Sequence, residues 1–265
     1  MKKYLTVLSL SLQDAFSERS SAVVWAFLDF LWPLATLFIW LAVYQGGQTT
    51  VGGINLSQMM TYYLGVAFIN AAASSHSEWD IFQNIHSGEL SPHLLRPFSY
   101  FLSQLAASIS WKIVKGLLVL PLLIVFSYFL RQYLSFNLTL ETALFLVLTL
   151  IFAYLLNYVT SFILGCLTFW LEDPTNVITL NDLFRSLFSG AMLPLILLPF
   201  PIQKVAAFLP YRYFYDFPLR ILTGQANRPE IFLGLAGQIF WLFAAFALYR
   251  FVWRRGLRAY CAFGS

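Results

Sequence analysis

Of 265 residues, 59% are hydrophobic and only 11% are charged, and the mean hydropathy is +0.71. Soluble globular chains carry about 25% charged residues, so this composition excludes one and identifies an integral membrane protein. The formal charge of +4 fits basic residues flanking membrane spans; with no basic cluster interleaved with aromatics, a nucleic-acid partner is excluded.

Spans of about 20 apolar residues allow about six across this length, without room for a sizeable soluble domain. Residues 1–265 are therefore read as one transmembrane domain. In residues 1–20, Leu5, Leu8, Leu12 and Phe16 recur at helical spacing among Lys2, Lys3, Gln13, Asp14, Glu18 and Arg19. That pattern predicts an amphipathic helix lying in the interface. Ser9, Ser11, Gln13 and Asp14 interrupt the first apolar run, so no cleaved signal peptide is expected. The first span is predicted at 21–44, ended by Gly46 and Gly47, and the second at 57–79. After the polar stretch 80–98, a moderately amphipathic segment merges into a third span ending near 130. Arg131 and Asn137 mark a turn, and the fourth span covers 140–171. Asp173 is placed to cap a helix starting at Pro174, and the fifth span covers 177–198. Four prolines make 199–228 too broken to cross as one helix. The sixth span, 229–253, runs into Arg254, Arg255 and Arg258.

Six spans put both termini on one side. That side holds Lys2, Lys3, Arg19, Arg96, Lys112, Lys115 and the three terminal arginines, against Arg131, Lys204, Arg212, Arg220 and Arg228 opposite. The excess predicts cytosolic termini and a cytosolic 80–98 loop. Cys166 falls in an apolar span and Cys261 in the basic tail, so no disulfide is expected between them.

Chemistry-bearing motifs are sparse. The sequence contains no GxxxxGK[ST] phosphate loop, no HExxH and no GxSxG. His76, His86 and His93 lack a metal-ligand spacing. No cofactor or metal is therefore expected on this chain, and no catalytic residue. Ser189 and Gly190 resemble half of an intramembrane protease motif, but without a histidine in another span they read as a close packing point. Charges near the bilayer centre cost about 2.5–3.5 kcal/mol even on insertion scales, which singles out Asp29, Asn70, Ser74, Asn157, Ser161, Asn181, Asp182 and Arg185. They either line a transport path, pair with neighbouring helices or lie close enough to the cytosolic face to snorkel; Asp182 and Arg185, three apart, are placed to pair.

Two stretches carry the most specific patterns. Gly88 is suited to end a helix in the left-handed conformation. Ser91 and Pro92 read as an N-cap and first helical position, and Pro97 turns Arg96 away from helix. The helix between them is about one turn long. The second stretch runs from Ser189 and Gly190 through Pro194, Pro199, Pro201, Pro210 and Pro218 to Gly224. Broken helix at membrane depth is tolerated only where protein shields it or it lines a cavity, so a half-inserted hairpin on the outer side is expected.

Gly88, Glu89, Leu90, Ser91, Pro92, His93, Leu94, Leu95, Arg96 and Pro97 resemble the Gly-x-Leu-Asp-x-x-Leu-Leu-Arg-Pro loop of the ABC-2-type permeases, the membrane subunits of ABC exporters. The 189–224 pattern is similar to that family's segment between spans five and six, and Phe169 with Trp170 to another recurrent feature. Ser91 stands where the family carries an acidic residue, with Glu89 as the nearby carboxylate. The resemblance implies an all-α integral membrane protein: six transmembrane helices, an N-terminal interfacial helix and a re-entrant outer helical hairpin between spans five and six. It implies a multi-pass protein of the cytoplasmic membrane, paired with a second permease as homodimer or heterodimer. A separate ATPase subunit, which would hold ATP and magnesium, docks on 80–98, while 199–224 forms an outer gate. Substrates of the drug, peptide, lipid or glycan class are all compatible. Two other readings are a secondary transporter or channel without an ATPase, which usually shows repeated halves, and a membrane-embedded enzyme, which needs converging reactive groups.

Overall fold

The computed structural model describes residues 2–47, 49–134 and 139–260, and the described side chains exclude those of 2–5 and 19. Asn137, Cys261 and the side chains of Lys2, Lys3, Leu5 and Arg19 thus lie outside the described residues. Helix starts are written in the sequence. Asn55 and Gln58 form a capping box for α3 (Leu56–Ala73), Thr139 and Thr142 for α7 (Leu140–Cys166), and Asn227 and Glu230 for α11 (Arg228–Ala259). The other long helices are α1 (Lys2–Ser17), α2 (Arg19–Gln45) and α6 (Tyr100–Phe129). Between α2 and α3, β1 (Thr50–Val51) and β2 (Ile54–Asn55) form a two-residue antiparallel hairpin.

Helix α3 is the centre of the bundle. It packs against α2, α6 and α7, and its residues from Met59 to Ala67 are all buried. α7 joins it to α11, and α1 lies along α6, where the Ser110 hydroxyl donates to the Leu8 carbonyl at 3.4 Å. Ala15, Ala22 and Val114 fill the space between α1, α2 and α6.

Among the described residues, four helical stretches are long and apolar enough to cross a membrane: Ser20–Gln45, Tyr100–Phe129, Leu140–Phe169 and Arg228–Ala259. The expected second and fifth spans are not among them. The apolar run 57–79 breaks at Ser74–His76, giving α3 and a separate α4 (Ser77–His86). The run 177–198 gives only α8 (Thr175–Phe188), because the chain turns at Gly190. α3 carries Gln58, Thr61 and Asn70 because protein rather than lipid surrounds most of it. Residues 199–228 hold two short helices, α9 (Phe200–Phe208) and α10 (Asp216–Leu222), around a 3-10 turn at Pro210–Tyr213. Asp173 accepts from the Thr175 N–H at 2.9 Å, at the start of α8.

Candidate functional site

The 80–98 stretch is a rigid two-helix loop fastened to the bundle. α4 presents Ile81 and Ile85 to Tyr158, Val159 and Phe162 of α7. The approach is close at Gly165, where an added Cβ would lie 2.7 Å from Ile81. Gly88 adopts φ 80 and ends α4 in the left-handed conformation. α5 (Leu90–Leu94) follows at once. Ser91 is not its N-cap: the helix begins at Leu90, Pro92 sits within its first turn, and the Ser91 hydroxyl lies 3.1 Å from that of Tyr260 beyond α11. The earlier start arises because Leu90 is drawn into the core, where it is fully buried. The Asn84 amide donates to the Tyr100 hydroxyl at 2.8 Å, and the His93 ring meets the Tyr100 ring edge-on. Partial burial, then Arg96, hold the His93 imidazole below its ordinary pKa.

What the loop leaves outside is as specific as what it buries. Leu94 is 41% exposed and Leu95 88%, and Glu89, Arg96 and Pro97 are exposed with them. A leucine beside a helix this firmly anchored has no internal reason to stay in water. Beneath the loop, Tyr100, Phe101, Tyr158, Phe162, Tyr249 and Trp253 form a ring stack; Tyr100 and Trp253 lie parallel at 5.5 Å.

Most of the singled-out polar residues tie elements together. The break after α3 frees carbonyls that have no helical partner. Asn157 donates to Ala73 O at 3.0 Å, Ser161 to Ser75 O at 3.1 Å, and Lys112 to Ala71 O at 3.3 Å. Asp29 pairs with Lys115. Asn70 accepts from Tyr215 at 2.7 Å and Asn181 from Tyr211 at 2.9 Å, anchoring the 210–216 turn. Ser74 is buried beside them. Arg185 and Asp182 pair at 2.8 Å, the arginine 16% and the aspartate 40% exposed. Glu78 is buried 3.4 Å from His76.

The 189–224 segment is fastened inward at its start. Gly190 adopts φ 86, and its carbonyl accepts from the Tyr62 hydroxyl at 2.6 Å. Ser189 O accepts from the Asp216 N–H at 2.8 Å, and Met192 O from the Tyr63 hydroxyl at 2.9 Å. The prolines mark helix starts, where a missing N–H costs nothing: Pro194 precedes a 3-10 turn, Pro199 and Pro201 open α9, and Pro210 opens the next turn. Pro218 lies in the first turn of α10, and Gly224, at φ 70, follows that helix.

Sequence reasoning passed over four groups that hold the site. Lys112 and Lys115, counted only as surface cations, face the bundle. Gln238 is fully buried, accepts from Thr149 at 2.6 Å and donates to Tyr213 O at 3.2 Å. Tyr260 holds α5. A polar side chain inside an apolar helix was the available signal for the lysines and Gln238; nothing local marked Tyr260.

A family model described as ABC-2 family transporter protein matches residues 30–264, which contain both loops and every polar residue above except Asp29. No curated protein matches the chain.

Proposed function

Since the chain belongs to the ABC-2 transporter family, whose permeases generally work with an ABC ATPase, we propose that it is the transmembrane permease subunit of an ATP-driven exporter in the cytoplasmic membrane. It pairs with a second permease, and a separate ATPase subunit supplies nucleotide binding and hydrolysis. The observation that carries this reading is the outward apolar tip, Leu94 and Leu95, on a helix held from below by Leu90 and Ser91. Such a tip suits a groove on a partner that moves: docking buries the leucines, and the ring stack beneath passes the displacement to α6, α7 and α11. Arg96 beside them pairs with an ATPase carboxylate or a lipid phosphate.

Six crossings follow if α3 with its flanks, and α8 with the chain up to its Gly190 turn, also traverse the bilayer. At about 1.5 Å per residue, the 18 residues of α3 extend about 27 Å, close to the roughly 30 Å hydrocarbon core. Both termini and 80–98 then face the cytosol, and α9 and α10 form the re-entrant outer hairpin. Single cysteines at Ser87 and Gln225, in a cysteine-free background, should label from opposite sides; labelling from one side contradicts this topology.

Burying one leucine contributes about 1.5–3 kcal/mol, and about 1.4 kcal/mol is tenfold in affinity. Replacing Leu94 and Leu95 by serine should preserve insertion and folding, weaken ATPase co-purification more than tenfold and abolish export from reconstituted vesicles. Unchanged association and export would reduce the loop to a connector.

A further inference from the structure

Behind the Gly190 turn lies a cavity of about 680 Å³, walled by the β1–β2 hairpin, Tyr62, the 194–196 turn, α9 and α10. Its size falls within the range of roughly 300–1,000 Å³ typical of small-molecule sites. Two arginines, Arg212 and Arg220, and one carboxylate, Asp216, line it. Arg220 is half engaged outside the cavity, donating to Glu230 at 3.2 Å. Arg212 is different. Its nearest carboxylate oxygen, on Asp216, is 3.7 Å away, beyond hydrogen-bond length, and its Nε is sealed from solvent without a hydrogen-bond partner. A buried guanidinium nitrogen without a hydrogen-bond partner is costly, and among the described residues only a long ion pair to Asp216 and a contact over the Tyr213 ring at 5.7 Å hold Arg212 in place. Guanidinium geometry matches the paired oxygens of a phosphate. The lining's excess of one positive charge matches a single negative one.

The rim supplies the other half of the chemistry. Pro194, Leu195 and Ile196, the last 63% exposed, line one side of the mouth, and α9 contributes Gln203 and Ala207; Phe200, Val205 and Phe208 are exposed elsewhere on α9. A charged floor under an apolar rim fits an amphiphile. We propose that this cavity binds a phosphodiester monoanion, held by Arg212 and assisted by Arg220, with any attached apolar chain lying over α9. Asp216, 3.7 Å from the Arg212 guanidinium, opposes the ligand's charge. Its backbone N–H also holds Ser189 O, so occupancy bears directly on the turn at Gly190. The site is formed by this chain alone and does not depend on the ATPase assignment.

The test uses the full-length protein in phosphatidylcholine nanodiscs, with radiolabelled dihexanoyl-phosphatidylglycerol as probe and glycerophosphoglycerol as soluble competitor. Saturable binding is expected, weakened at least tenfold by Arg212→Gln, weakened less by Arg220→Gln, and tightened by Asp216→Asn. Arg228→Gln, which breaks a pair with Glu141 away from the cavity, should leave binding unchanged. Displacement by glycerophosphoglycerol identifies a soluble phosphodiester as sufficient; binding that only the lipid shows identifies the headgroup in its membrane setting. Either outcome supports the site. The opposite sign expected for Asp216→Asn separates ligand binding from a structural role and holds even if Arg212→Gln misfolds. No saturable binding, or equal binding by the wild type, Asp216→Asn and Arg220→Gln, overturns the proposal.

Discussion

Between α3 and α6 the chain leaves helix at Ser74–His76 and again at Gly88. Between α8 and α11 it does so at Ser189–Pro199, at Leu209 and at Gly224. Both interruptions carry a glycine at positive φ and prolines in first helical turns, yet they are fastened differently. The 74–97 stretch is held along one side only, by Ile81, Ile85, Leu90 and Ser91, and leaves Leu94 and Leu95 outside. Carbonyls are captured in both, Ser75 O by Ser161 in the first and Gly190 O, Met192 O and Ser189 O by Tyr62, Tyr63 and Asp216 in the second, but the 189–224 stretch also lines a cavity. One fixed and one free face suits the proposed coupling contact, and a backbone satisfied within the protein suits the proposed outer gate.

The strongest way to break this contrast is at Gly190. An added Cβ would sit 2.8 Å from the Tyr62 hydroxyl and 3.3 Å from Asp216 Cβ, at a φ that side chains rarely adopt. Gly190→Ala should therefore cost about 1–3 kcal/mol, read as a lower Tm of the purified protein. An unchanged Tm would show the turn to be loosely held. Asn157→Leu comes next. It keeps the number of side-chain heavy atoms but strips the Ala73 carbonyl of its donor, and an unsatisfied buried polar group costs about 1–3 kcal/mol. Part of that is recoverable from Lys112 and Ser161, so the fall in Tm should be smaller; a rise would mean the break after α3 needs no cap. Arg185→Ala should have the least effect. Losing one member of a fully desolvated pair costs about 3–5 kcal/mol, but Asp182 is 40% exposed, so about 1 kcal/mol is expected. Adding Asp182→Asn should restore the folded yield; a loss beyond that, unrepaired by the second change, would place Arg185 at the centre of a larger network.

Much of both stretches was legible in the residues themselves. Gly88, Asp173 and the prolines of 189–224 act within a few residues of where they stand, and local chemistry of that kind survives folding. The break at Ser74–His76 was not legible. No proline or glycine marks it, Ser74, Ser75, His76, Ser77 and Glu78 read equally well as the polar end of a span, and the groups that make it tolerable come from Lys112, Asn157 and Ser161, 41 to 86 residues away. Ser91 misled for a related reason: a serine before proline is a sound cap locally, but burial of Leu90 set the helix start. Lys112 and Lys115, counted among the cations of one membrane side, are engaged within the bundle, with Ala71 O and Asp29.

Composition alone determined that this is a membrane protein, because about 20 apolar residues in a row have no stable alternative in water. Local turn chemistry determined where its two specialised interruptions lie. Only the tertiary structure decided which leucines remain outside, which carbonyls each polar side chain satisfies, and that Arg212 lines a cavity with its Nε unpaired. Those outcomes depend on contacts between residues far apart in the chain, and hydrophobic burial and hydrogen-bond pairing act on distance in space rather than on position in sequence.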